Sequence, residues 1–521
     1  MIQLELDKSR LEDKAYISEV VNTILLHRIV EGENERLKKC FDYYDGVAPV
    51  TEFKENYDYS PKVINLTKPI VDIATQTFIG ELPDIVTSGK KDEKKKISVF
   101  SQKLYKADFP NRMYETCHYG SKCGSGYLSV FTKVGDSFPR FRELNPRFAE
   151  CVYDCSLEAE HTLSYYTFIE GEANGGMSTA KYYVYVYTKK HIFAFQGSGA
   201  INMQTTKPNA IKNSFFTDYM AWTINGKEAS VVEHGFNDIP IIEFPNNAEY
   251  KGDAECVFDL ISLYNEVTNN RCKNLYDIVN YILFLKNVRL GDEEETKKVI
   301  ALLKQHHILP SEGEDVDAKF LTNPINQEQM QTLANNIKDL IHLISRVPDL
   351  SGTDFSQNAS DPILKIKTKP LLDLCSDKEK KCTEPYLRVI RMVLEWCSRH
   401  SYDFDEFNFD IDKTRLVYAH NLPSNDSDMI TMITNLANSG MANPEVLLQQ
   451  LSFIPSVSDY IKGMDKWNEQ VDKRKSLQQN NEKGLNDNNL EKQNEKPLTK
   501  DNMDNKSNFD RGNADALSDL K

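Results

Sequence analysis

The sequence predicts an α+β protein built from several modules, and three patterns predict it. Apolar residues recur at helical spacing through residues 11–80 and again after residue 252. Between them, short aromatic and β-branched runs alternate with Gly, Asn, Asp and Pro, the signature of strands and turns. Two long amphipathic patterns then flank a short insert, as in a helical hairpin carrying a small domain at its tip. With 521 residues and roughly 150 residues per domain, about three structural units are expected.

In the first region Leu25-Leu26, Ile29-Val30, Ile70, Ile73-Ala74 and Phe78 mark helices, the last closing at Gly80, where a left-handed cap is expected. Strands are expected at Tyr127–Thr132, Tyr165–Ile169, Tyr182–Thr188, His191–Phe195 and Ile241–Phe244, forming a mostly antiparallel domain laid against helices. The run Gly89–Lys96 reads as a solvated loop, because acids interleave its lysines and no aromatic accompanies them.

A long helix is expected after Gly252-Asp253, with Asp253 capping its first free amides. Val257, Leu260-Ile261, Tyr264 and Val267 form one stripe and Leu275, Ile278-Val279, Ile282 and Leu285 another, separated by the polar run Thr268–Asn274. A second helix is expected over Gln327–Ser345, with Met330, Leu333, Ile337, Leu340-Ile341 and Ile344 on one face, a box-like pairing of Asn326 with Gln329 at its start and Pro348 ending it. The insert, Asn287–Pro324, holds a helical piece (Asp292–His307) and strand candidates at Ile308-Leu309 and Lys319–Leu321. Asp349–Asp361 is polar and aperiodic, hence a loop. Pro362–His400 is helical but contains Pro370 and Pro385, each expected to kink or break it. A strand at Leu416–His420 precedes helices at 427–438, 444–452 and 456–468, and from Val471 the polar composition predicts a disordered tail.

The net charge is −15, and the tail's ten acids are matched by ten Lys and Arg, so the surplus belongs to the folded body. That argues against wrapping nucleic acid through a basic face, though an acidic wall suits loose enclosure of DNA, since it repels phosphates. The longest apolar run, Tyr281–Leu285, is far short of the roughly 20 residues of a membrane span. No secretory pattern opens the sequence, so a reducing cytoplasm and free thiols are expected for the ten cysteines. Cys117/Cys123 and Cys151/Cys155 lack zinc-site spacing, and no metal or cofactor is expected.

Motifs of catalysis are missing. There is no GxxxxGK[ST], HExxH or GxSxG, and Gly124-Ser-Gly126 and Gly175-Gly176 lack the dinucleotide spacing. Cys117-His118 suggests a thiol nucleophile only weakly, because adjacent residues rarely have the geometry. Asp403, Asp405 and Glu406 fit an exposed turn without any ion. The expectation is that the protein is not an enzyme.

Several stretches carry a family resemblance: Asn65–Ala74 running on to Gly80; Gly124-Ser-Gly-Tyr-Leu128 with Asn145-Pro146 and Tyr153-Asp154; His234–Asn247 with Gly252-Asp253; Leu260–Asn265; and Asn358–Lys365. With the element order, they resemble tailed-bacteriophage portal proteins, the head-tail connectors, in particular those of long-tailed phages of Gram-positive hosts. The resemblance implies the portal fold: an α/β wing at 1–251, a stem from helices at 252–286 and 327–348, a small α/β clip at 287–326, a tunnel loop at 349–361, and a kinked helix with a helical crown at 362–470, before the disordered tail at 471–521. Here Asp361-Pro362 follows Ser360 and Ile363 precedes Leu364, a departure from the family's usual loop.

Function follows as expectation. Twelve copies would form a ring at one capsid vertex, the channel for packaging and ejection of double-stranded DNA. Gln357, Asn358, Ser360 and Asp361 would line the constriction, and Lys365, Lys367 and Lys369 would give exchangeable, non-specific phosphate contacts. For these lysines a solvated helix face is the competing reading. Asp292, Glu293, Glu294 and Glu295 in the clip would help dock the terminase large subunit and later a head-tail adaptor, although favourable charge at a helix N-terminus explains them too. Major capsid and scaffolding proteins are the other expected partners, with no membrane; the expected locations are the virion vertex and, during assembly, the host cytoplasm. The alternatives are a capsid-associated structural protein that conducts no DNA and, last, an intracellular enzyme with an appended tail.

Overall fold

A computed structural model describes residues 2–47, 62–87, 91–170, 181–197, 216–224, 226–278, 282–286, 292–294, 297–298, 317–321, 327–350, 361–420 and 434–435. Met1–Pro423 form one compact unit and Ser424–Lys521 a second. The expected helices at 427–438, 444–452 and 456–468 lie outside the described residues, apart from a helical pair at 434–435, as does the tail.

The chain opens with β1 (Ile2–Gln3), α1 (Lys14–Val30), α2 (Glu33–Tyr44), α3 (Thr67–Ile79), β2 (Asp84–Thr87), α4 (Lys91–Lys106) and α5 (Phe109–Cys123). Asp13 caps α1 by accepting from Ala15 N at 3.0 Å, and Ile17, Val20, Val21, Ile24 and Leu25 form its buried stripe. Asn65 starts α3: its side chain accepts from Lys68 N at 3.1 Å and donates to Tyr44 O at 2.8 Å. Two expectations fail here. Gly80 ends α3 in the right-handed region (φ −56°), and the lysine run after Gly89 is the first turn of α4, with Asp92 and Glu93 set favourably at its N-terminus. Helices α4 and α5 also interrupt what the sequence suggested was continuous β structure.

Next come β3 (Ser125–Phe131), β4 (Arg140–Leu144), β5 (Ala149–Tyr153), β6 (His161–Glu170), β7 (Lys181–Tyr187), β8 (His191–Gly197), β9 (Phe216–Asp218), β10 (Trp222–Ile224), β11 (Lys227–Ala229), β12 (Val231–Glu233) and β13 (Ile241–Pro245). Among the described residues they make a larger sheet in the order β1-β5-β6-β7-β8-β12, with β9 on β8, a smaller one in the order β13-β3-β4, and a separate pair of β10 with β11. Pairing is antiparallel except for β1 with β5, as the short alternating runs predicted. The larger sheet packs Val152, Leu163, Tyr165, Val184, Val186, Phe193 and Phe195 against α1. Ala149 and Cys151 meet Tyr127, Leu144 and Ile241 of the smaller sheet.

The remainder is α6 (Phe258–Ile278), β14 (Ile282–Lys286), β15 (Asp317–Leu321), α7 (Gln327–Ser345), α8 (Asp361–His400) and β16 (Thr414–Val417), which pairs with β2. The helix expected to run through Ile282 and Leu285 stops at Ile278, and Ile282–Lys286 instead pairs antiparallel with Asp317–Leu321. Isoleucine, leucine and phenylalanine in a run of five fit either state, and strand pairing decides it. The expected strand at Lys319–Leu321 is present within β15; Ile308-Leu309 lies outside the described residues. In α8 neither Pro370 nor Pro385 breaks the helix, which is continuous over 40 residues. Packing compensates for the lost amides, because Leu371, Cys375, Cys382, Tyr386, Val389, Ile390 and Val393 bury one face of it in the main core.

That core is pinned by a buried ion pair. Lys378 Nζ of α8 lies 2.5 Å from Asp253 Oδ2, with side chains 2% and 1% exposed. Lys378 also donates to Ser121 Oγ at 2.6 Å, and Asn246 Nδ2 donates to Asp253 Oδ1 at 2.8 Å. Asp253 is therefore the anchor of α8, and it does not cap α6 as the sequence suggested. Backbones must come close for this: a Cβ on Gly126 would stand 1.8 Å from Thr116 O, and one on Gly124 (φ +100°) would stand 2.0 Å from Tyr250 O. Removing one partner of a buried pair typically costs about 3–5 kcal/mol. Asp253→Asn and Lys378→Met should each lower denaturant-unfolding stability by about that amount, and the two losses should be far from additive in the double variant.

Candidate functional site

The hairpin of α6 and α7 is the feature whose chemistry the core does not use up. Val257 just before α6 and Phe258, Ile261 and Val267 along it are buried; along α7, Ala334, Ile337 and Ile341 are buried. The single face expected on α7 is split. Leu333, Leu340 and Ile344 point away from the core with Leu343, which is 72% exposed, and Leu263 of α6 and Ile366 of α8 are exposed as well. The helix ends at Ser345 because Arg346 turns left-handed (φ +60°) ahead of Val347-Pro348, and residues before proline avoid the helical region. Below that turn Lys338 meets Asp349 at 2.5 Å, which raises the lysine's pKa, and Arg346 meets Asp377 at 3.2 Å.

Two asparagines of α6, Asn265 before the polar run and Asn269 within it, are buried. Asn265 Oδ1 accepts from Ile64 N at 2.7 Å and its Nδ2 donates to Ile64 O at 3.2 Å. One turn on, Asn269 Oδ1 accepts from Lys62 N at 2.9 Å and its Nδ2 donates to Lys62 O at 2.8 Å. A helical turn of about 5.4 Å roughly matches two residues of extended chain, about 6.6 Å, so two asparagines at i and i+4 hold alternate residues of the segment before α3. The spacing was visible in the sequence; its partner was not.

Of the residues expected to line a channel, Gln357, Asn358 and Ser360 lie outside the described residues, and Asp361 and Lys365 are described as helical backbone only, at the start of α8. Lys367 is half-buried, while Lys369 is exposed and paired with Asp373 at 3.2 Å, one turn along the same helix. In the insert, Asp292, Glu293 and Glu294 are exposed, and Glu295 lies outside the described residues. Asp292 Oδ1 accepts from Glu294 N at 3.1 Å and Glu293 lies 3.4 Å from Lys297, the local arrangement of a helix start.

The geometry does not support the weakly suggested nucleophile. The neighbouring Cys382 thiol, together with burial, pushes the Cys117 pKa well up, and His118 turns instead to Asp72 Oδ1 (3.1 Å) and Tyr44 Oη (3.1 Å). Among the described residues no cluster suits a metal ion, and no helix is long and apolar enough to cross a membrane.

The family model described as "Phage portal protein, SPP1 Gp6-like" matches residues 26–509. The chain belongs to this family. A portal protein of Bacillus phage SPP1 is 24% identical over 428 residues, 81% of this chain and 78% of the relative. A portal protein of Clostridium phage phiCD119 is 22% identical over 236 residues, 44% of this chain and 49% of the relative. The resemblance read from the sequence is thereby upheld, and the portal role is a structural one, not that of an enzyme.

Several of the stretches that carried the resemblance, among the described residues, are joints of the fold. Asn65, Gly124, Gly126, Asn246, Asp253 and Asn265 each fix one backbone against another. Sequence reading missed a further joint. Arg388 of α8 is bidentate to Asp238 (2.5 and 2.8 Å) and donates to His161 Nδ1 at 2.9 Å. Since arginine only donates, His161 is neutral, and its Nε2 donates to Ser164 Oγ at 2.7 Å. Burial, reinforced by Arg388, lowers the His161 pKa to about 3. A depressed imidazole pKa stabilises the fold fully above the unfolded value of about 6.5, and the contribution is lost as pH falls from there toward 3. Unfolding of wild type and His161→Gln at pH 7.5 and 4.5 should show the difference between them shifting on the order of 2 kcal/mol against wild type at the lower pH.

Proposed function

We propose that the chain is the portal subunit of a tailed phage, assembling as a ring, in the expected form a dodecamer, at one capsid vertex, where it conducts double-stranded DNA during packaging and ejection. The observation that carries the ring is the outward apolar stripe of α7, Leu333, Leu340, Leu343 and Ile344, in a chain of net charge −15. Contiguous exposed apolar side chains on an otherwise polar, acidic protein call for burial against another surface, and identical copies arranged about an axis supply it.

In this reading residues 1–251 are the wing, α6 and α7 the stem, β14 and β15 part of the clip, 349–361 the tunnel loop, and 362–470 the kinked helix and crown. Gln357, Asn358, Ser360 and Asp361 line the constriction, with Lys365, Lys367 and Lys369 as weak, exchangeable contacts to the DNA backbone. The chain has no nucleotide-binding motif, so the energy for translocation comes from a terminase docked at the clip, near Asp292, Glu293, Glu294 and Glu295. A head-tail adaptor later takes that place, and major capsid and scaffolding proteins are the other partners.

Negative-stain microscopy with mass determination in solution tests the ring: annular particles are expected from wild type. Leu340→Glu/Leu343→Glu should yield folded monomers with an unchanged unfolding midpoint, because both side chains are exposed within the subunit. Wild-type monomers at every concentration and salt would overturn the reading. Replacing Asn358 and Ser360 should leave ring assembly intact and reduce DNA packaged per particle; unchanged packaging would instead favour a capsid-associated role without DNA conduction.

A further inference from the structure

A polar cavity of about 250 Å³ separates α1 and its sheet from the rest of the body. Two buried glutamates on different strands line it, Glu150 from β5 and Glu243 from β13. Their close partners are phenols. Tyr165 Oη donates to Glu150 Oε2 at 2.9 Å, Tyr153 Oη to Glu243 Oε2 at 2.9 Å, and Tyr127 Oη to Glu243 Oε1 at 3.3 Å. From α1, Arg28 Nε stands 3.6 Å from Glu150 Oε2, beyond hydrogen-bond reach and without another acceptor. From α2, Arg36 is already held by Glu33 and by Glu255. His27 of α1, Glu31 just after it, Cys123 beside β3 and Tyr250 of the turn after β13 also face the space.

The cavity sits at a seam. On one side α1 and the larger sheet form their own core; on the other, α2, α3, α5 and α8 form the main one. The chain crosses between them at Gly32 (φ +71°). We propose that this cavity is a pH-sensitive joint, closed while Glu150 and Glu243 hold their protons and opened by their ionisation, which draws water between α1 with its sheet and the body. Burial, with Glu33 and Glu243 adding repulsion and Arg28 and Tyr165 opposing, raises the Glu150 pKa to about 7, and burial raises that of Glu243.

The sign follows from linkage. In the open state water reaches the carboxyl, which then ionises near its ordinary value of about 4.3; in the closed state it keeps its proton to about 7. Opening therefore releases a proton between those two values, and the opening constant rises up to about tenfold per pH unit there, levelling above neutrality. His161 works with the opposite sign, and it joins β6 to α8 elsewhere.

Hydrogen–deuterium exchange of the assembled full-length protein from pH 5 to 8.5, corrected for intrinsic rates, tests the joint. Protection of α1 and β5 should fall with rising pH and level near 7, while amides of α8 around Lys378 keep theirs. Glu150→Gln/Glu243→Gln, which preserves shape, should flatten the profile. Tyr165→Phe removes a donor that favours the ionised form, and should move the plateau to higher pH. Protection independent of pH in wild type, or a slope surviving in the double glutamine variant, would overturn the proposal. Should that variant not fold, the wild-type and Tyr165→Phe profiles decide it alone.

Discussion

The pairing of Asp253 with Lys378 is the constraint on which the rest of the subunit hangs. A charge moved into a protein interior loses several kcal/mol of hydration unless a partner and further hydrogen bonds replace it. Here the replacement comes from three separate stretches of chain: Asp253 and Asn246 from the turn before α6, Ser121 from the end of α5, and Lys378 from the middle of α8. None can be satisfied until all are in place. The pair also lies between Pro370 and Pro385, so α8 is fixed at the point between its two weakest turns.

Close backbone approach is the second half of that constraint. The strand after α5 runs back against the helix it leaves, and the turn at Tyr250 lies on the helix end, an approach that needs glycine at 124, 126 and 252. With those contacts made, β3 is positioned to pair with β13, and β13 delivers the turn that carries Asp253. Local backbone geometry and the buried charge pair therefore support one another, the agreement between levels expected of a sequence that specifies one fold.

What could be read from the sequence was whatever depends on neighbours along the chain. The helical spacing of α1 and α7 and the strands β3, β6, β7, β8 and β13 follow from local pattern alone, although which residues of those helices are buried does not. Errors arose where a distant partner decides. Ile282–Lys286 continues a helical stripe in one dimension, but β15 offers it backbone hydrogen bonds. The two prolines in α8 predict a break by their missing amides, and the buried face of that helix outweighs them. Asn265 and Asn269 give no sign in the sequence of what they bind, and they grip a segment some 200 positions away. The expected tunnel-loop residues rested on resemblance, and most of their side chains fall outside the described residues.

Polar and apolar groups thus divide their work in an unusual way. Inside the subunit, joints between elements are made by asparagines, a lysine–aspartate pair, an arginine clamp on Asp238 and His161, and glutamates bound to phenols. Outside it, on α7, leucines face water. Buried hydrogen bonds have strict geometry, so polar joints select one arrangement of the elements, whereas apolar contact is non-directional and grows with area. In the ring proposed above, a subunit keeps its own shape through directional contacts within and would meet its neighbours through adaptable ones on α7.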